Sequence, residues 1–142
     1  MSAPFALHPR LSGVYAGAPP VPLESAVRHA GWARLAVDVS ACGDKDALLA
    51  ACRRDLALPA HFGGNWDALA DCLGDLSWQR APGYVLVFRG AGRLARESPQ
   101  ALATLVEVLR GAAKEWQGRG TGFIALIDPA APSLGLAPLA AS

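Results

Sequence analysis

His61-Phe62-Gly63-Gly64-Asn65-Trp66-Asp67-Ala68-Leu69-Ala70-Asp71-Cys72-Leu73-Gly74-Asp75-Leu76 reads as a turn running into an amphipathic helix. The Gly63-Gly64 pair makes the turn, and Asn65 can cap the helix by accepting an N–H from its first turn. At about 100° per residue, Leu69, Cys72, Leu73 and Leu76 share one side. Asp67, Asp71 and Asp75 recur at every fourth position on the other side and form a carboxylate stripe. Like charges at that spacing cost about 0.2–0.5 kcal/mol per pair. The macrodipole offsets part of this for Asp67 in the first turn. Such a stripe is either a plain solvated face or a surface meant to meet something positive.

The flanking sequence alternates strands and helices. Residues 1–21 carry Pro4, Pro9, Pro19 and Pro20 and read as an irregular extension, with 12–16 as a short edge strand. Pro22 suits the first turn of a helix carrying Leu23, Ala26, Val27 and Ala30, which Gly31 ends. Residues 33–39 alternate Leu35, Val37 and Val39, the period of a strand. Asp44 is placed to cap a helix with Leu48, Leu49, Cys52 and Leu56 on one face, closed by Pro59. Beyond the acidic helix, residues 84–88 are apolar throughout, as in a strand covered on both faces. Ser98-Pro99 reads as cap and first turn of a long helix with core positions Leu102, Leu105, Val106, Leu109, Ala112, Ala113 and Trp116. Residues 120–122 break the chain before a last strand at 123–127. From Leu35 onward the order is strand, helix, acidic helix, strand, helix, strand, which predicts right-handed crossovers and a small parallel sheet. The Ala-, Pro- and Leu-rich tail after Pro129 has no period and is expected to be loosely ordered.

At 142 residues, 52% of them apolar, and with a mean hydropathy of +0.25, the chain has the size and composition of one folded domain. Thirteen basic and twelve acidic side chains nearly cancel, so no global field recruits nucleic acid or an anionic membrane. Charge is segregated instead. Between Asp55 and Gln79 there are four aspartates and no Lys or Arg, and Arg80, Arg89, Arg93 and Arg96 follow. Cys42, Cys52 and Cys72 are odd in number and lack zinc spacing, so they read as reduced, buried thiols. No basic, then apolar leader opens the sequence and no stretch is long enough to span a membrane, so the cytoplasm is expected.

Other chemistries fit less well. Gly63-Gly64-Asn65 ahead of a helix could hold an anion, but it lacks the Lys and Ser/Thr of a P-loop, and Asp67 and Asp71 repel phosphate. Gly90-Ala91-Gly92 is incomplete as a dinucleotide fingerprint and reads as a turn. Asp67, Asp71 and His61 lack a second histidine or distant carboxylate motif to complete a metal or hydrolytic site. No catalytic residue, metal or cofactor is expected. Phe62 and Trp66 read as packing residues.

The run Leu56-Ala57-Leu58-Pro59, then Phe62-Gly63, Asn65, Asp67-Ala68-Leu69 and Asp71-Cys72-Leu73, resembles the barstar family of intracellular ribonuclease inhibitors. The resemblance runs roughly from Leu35 to Asp128. It implies an α/β fold with a small three-stranded parallel sheet flanked by helices. A fourth strand and an extra helix could come from the N-terminal extension. It divides the chain into an extension (1–31), a barstar-like domain (32–128) and a tail (129–142).

It also implies an inhibitor or immunity protein that plugs a basic nuclease with its acidic helix and preceding loop. Asp71 matches the aspartate that enters the nuclease's phosphate site, and Asp67 matches an interface aspartate one turn earlier. His61 stands at an aromatic contact position, Gly63 and Asn65 keep the loop, and Glu115 matches an acidic position on the long helix. Asp75 adds a carboxylate. Gly111, Ala70 and Gly64 depart from the family's glutamate, tryptophan and acidic residue, and the connection over 74–82 is longer. The implied partner is a basic, extracellular-type ribonuclease or related toxin, bound by a protein monomeric when free, without direct nucleic-acid or membrane contact. The alternative is an interaction module of the same fold that binds another basic protein and inhibits nothing.

Overall fold

The apolar runs at 84–88 and 123–127 form the two central strands of a parallel sheet, the one place where both faces of a strand are covered. In a computed structural model, which describes residues 5–59 and 62–139, the strands are β1 (Gly13–Ala16), β2 (Ala33–Asp38), β3 (Gly83–Arg89) and β4 (Gly122–Asp128). The helices are α1 (Val21–Ala30), α2 (Lys45–Asp55), α3 (Trp66–Asp75), α4 (Gly92–Glu97) and α5 (Pro99–Gly118). The sheet order is β1-β4-β3-β2, and every pairing is parallel.

Alternation along the strands divides the core into two layers. Tyr84, Leu86, Phe88, Phe123, Ala125 and Ile127 pack under α2, α3 and α5, whereas Val85, Val87, Ile124 and Leu126 pack under α1, Phe5 and Leu139. Local chemistry sets the helix ends. Asp44 accepts the Ala47 N–H at 2.8 Å to start α2, and Gly31, at φ +73°, closes α1 in the left-handed conformation that favours glycine. Trp32 follows directly and lies across the first residues of both central strands, so close that neither Gly83 nor Gly122 has room for a Cβ.

To the three strands β2, β3 and β4 the N-terminal extension adds the fourth strand and the extra helix that were open to it. Residues 13–16 pair with β4 in register from Gly13 opposite Ile124 to Ala16 opposite Ile127, and α1 then carries the chain across the sheet to β2 on the far edge. The irregular extension thus supplies an edge strand and the helix covering the second face.

Some expectations need small corrections. The strand expected at 33–39 ends at Asp38. Gly90 is a turn residue at φ +77°, but a short helix, α4, follows it directly and buries Leu94. Ser98 does not cap α5; its hydroxyl donates to the Gly43 carbonyl at 2.9 Å. The stretch after Pro129 is more fixed than its composition suggests. The Ala16 N–H donates to the Ala137 carbonyl at 2.8 Å, and Leu139 is buried against the α1 layer. Among the described residues, no helix is long and apolar enough to cross a membrane.

Candidate protein-binding face

The loop ahead of α3 turns at Gly64, whose φ of +72° favours glycine, whereas Gly63 has no such requirement. Asn65 then takes extended backbone angles, and its Oδ1 accepts the Ala68 N–H at 2.8 Å, satisfying one of the helix's orphan donors. Asn65→Ala is expected to lower stability by about 1 kcal/mol. A urea midpoint unchanged by the substitution would show that the cap does not matter.

Leu69, Cys72 and Leu73 are buried beneath α3, and Phe62 and Trp66 join the same core as expected. At about 1.5–3 kcal/mol per buried leucine, this face outweighs the repulsion along the stripe. Leu76 ends the helix at φ +46° while fully buried, and Trp78 Nε1 donates to the Leu56 carbonyl at 3.2 Å to anchor the turn that follows.

With that face buried, Asp67, Asp71 and Asp75 are all exposed. Asp75 accepts the Ser77 hydroxyl at 2.7 Å. Among the described residues, none of the three aspartates is in a salt bridge. A second acidic cluster on the molecule is different. At the end of β2, Asp55 accepts the Asp38 N–H at 2.8 Å and is bound by Arg54, whose guanidinium also reaches the Asp38 carbonyl. Hydrogen bonds from Ser40 hold Asp38 below the usual carboxylate range, and Arg54 does so for Asp55. Those carboxylates close a sheet edge. The α3 stripe has no comparable internal task.

Asp71 and Asp75 stand on a ridge between two grooves. One, of about 640 Å³, runs between α3 and α5 over Ala70, Gly74, Val108, Gly111 and Ala112. The other, of about 360 Å³, lies toward Pro59, Phe62 and Trp78. Glu107, Glu115 and Arg119 line the larger groove, which therefore carries four carboxylates against one guanidinium. The structure thus brings Glu115 together with Asp71 and Asp75, while Asp67, Gly63 and Asn65 lie at the other end of α3, outside both grooves. His61 lies outside the described residues. Ala70 and Gly111 are both exposed, and their small size leaves the larger groove open.

Sequence reading missed Glu107 and Arg119. A signal was there, since Glu107, Gly111, Glu115 and Arg119 repeat every fourth residue on α5 just as the aspartates do on α3. Glu107 pairs with Arg110 at 3.1 Å and Glu115 with Arg119 at 3.7 Å, both as exposed pairs worth little to stability.

Cys42, Cys52 and Cys72 are all buried and unpaired. Burial pushes the Cys52 thiol up to about 12, and it raises Cys72 too, with Asp71 and Asp75 adding to the shift. Neither is an activated nucleophile.

Residues 32–128 match the family model described as Barstar (barnase inhibitor). A search of curated proteins finds no match to the chain.

Proposed function

This chain belongs to the barstar family, whose members are non-enzymatic inhibitors of a barnase-like ribonuclease, and from that premise we propose that it blocks such an enzyme with the acidic face of α3 and the loop before it. The observation carrying the proposal is that Asp67 and Asp71 are exposed and, among the described residues, free of salt bridges, while the other acidic cluster is satisfied internally. A cleft that grips RNA presents Lys, Arg and His to phosphates. Carboxylates on a helix already folded can occupy those positions without the entropic cost of ordering a flexible ligand.

In this reading Asp71 reaches deepest, Asp67 supports it one turn earlier, and Gly63, Asn65 and His61 form the loop contact. Asp75 and Glu115 contribute from the ridge and the α5 wall. Residues 32–128 are the inhibitory unit. Phe5 and α1 of the extension cover the sheet face away from α3 together with Leu139, whereas Ala130, Leu134 and Leu136 of the tail pack on the side of α3. The inhibitor acts as an immunity protein in the cytoplasm, on a nuclease otherwise destined for export.

Titration of a barnase-like ribonuclease with the protein tests this. Stoichiometric loss of RNA cleavage is expected, with an association rate that falls steeply as salt rises, because the attraction is between opposite charges on two surfaces. An enzyme that stays fully active at saturating protein overturns inhibition and favours a module for another basic protein.

A further inference from the structure

α3 lacks a basic residue in its last turn, yet its C-terminal carbonyls carry the negative end of the macrodipole. α5 and its C-cap residue, Arg119, supply the missing donors. Trp116 Nε1 donates to the Leu73 carbonyl at 2.8 Å, and Arg119 Nη1 donates to the Gly74 carbonyl at 2.7 Å. The Arg119 guanidinium lies over the Trp116 ring, 4.5 Å from its centroid, and that ring packs on buried Tyr84 of β3 at 5.1 Å. A continuous stack therefore joins the sheet to the last turn of the acidic helix. Glu115 completes it, with Oε2 3.7 Å from Arg119 and only 2.7 Å from where a Cβ on Gly74 would sit.

We propose that Arg119, seated on Trp116, is a positioning residue that fixes the pitch of α3 against α5 and so sets how Asp71 and Asp75 stand toward the partner. The inference rests on the inhibitory reading above and extends it to residues on the far side of the groove. Charge alone gives the opposite expectation. Among the described residues Arg119 is the one cation lining the larger groove, so removing it makes the face more acidic, and simple attraction to a basic nuclease would tighten binding. A latch loosened at its C-terminal turn loses preorganisation and binds more weakly.

Stopped-flow binding to a barnase-like ribonuclease separates the two. Arg119→Ala is expected to weaken affinity about tenfold through faster dissociation, with an association rate equal to or above the wild type. Trp116→Phe keeps a ring on Tyr84 but loses the indole N–H, and a loss of about threefold is expected, less than additive with Arg119→Ala. Arg119→Lys keeps the charge without the planar fork and should recover less than half of the loss. Gly74→Ala displaces the Glu115 carboxylate and should weaken binding about threefold, although alanine favours the helix.

If Arg119→Ala binds as tightly as the wild type, or more tightly, the latch is wrong. A wild-type protein that ignores the ribonuclease overturns the inhibitory reading instead. Hydrogen exchange in the free protein then decides the latch: faster exchange confined to the last turn of α3 in Arg119→Ala or Trp116→Phe supports it, and unchanged exchange overturns it.

Discussion

Asp71→Ala is expected to weaken binding to a barnase-like ribonuclease by at least about 2 kcal/mol, roughly thirtyfold. Its thermal stability should stay within about 0.5 kcal/mol of the wild type. The two halves of this expectation have separate causes. Asp71 is exposed and, among the described residues, outside every salt bridge, so the free protein loses no partner when it is removed. Truncation even relieves repulsion with Asp67 and Asp75 and introduces the best helix former. In the complex, the same carboxylate would face desolvated cations, and its loss leaves them buried and unpaired. Asp75→Ala serves as the internal comparison. Its carboxylate already accepts the Ser77 hydroxyl, so a smaller loss is expected there. Calorimetric titration of both variants against the enzyme measures the difference. Equal affinities for wild type and Asp71→Ala would remove Asp71 from the contact.

The largest expected effect on folding lies on the opposite face of the sheet. Gly122→Ala is expected to destabilise the protein by about 3 kcal/mol, because a methyl group there meets the Trp32 indole, and Gly83→Ala should behave alike. Overpacking is relieved only if the ring swings away, and it then gives up its contacts with the α1 layer. Trp32→Ala therefore acts as a suppressor in kind. In that background Gly122→Ala should cost far less than it does alone, giving a coupling energy of about 1–3 kcal/mol in a double-mutant cycle by urea denaturation. Additive costs in the cycle would mean that the ring is not what excludes a side chain.

The parts of the fold legible in the sequence are those fixed by neighbours along the chain. Asp44 and Asn65 announce α2 and α3 because a cap acts within three residues. β3 and β4 announce themselves because burial on both faces leaves no polar position. β1 was harder to read. Its four residues are only partly buried, and their partner strand lies more than a hundred positions away. α4 hides because six residues carry a single buried leucine. The same division runs through the candidate site. The aspartates of α3 declare a face by their spacing. Trp116 and Arg119 instead act on carbonyls 43 and 45 positions upstream, a relation with no local trace in the chain.

The parallel pairing of β1 with β4 has a mechanical consequence. The chain enters β1 at Gly13 and leaves β4 at Asp128, and the two strands lie side by side in the same direction. A pull applied upstream of Gly13 and downstream of Asp128 therefore slides the strands past each other and loads their hydrogen bonds together, not one at a time as in unzipping. The Ala16 bond to Ala137 adds a further clasp to the same strand. A force applied across these two strands therefore meets their hydrogen bonds in shear.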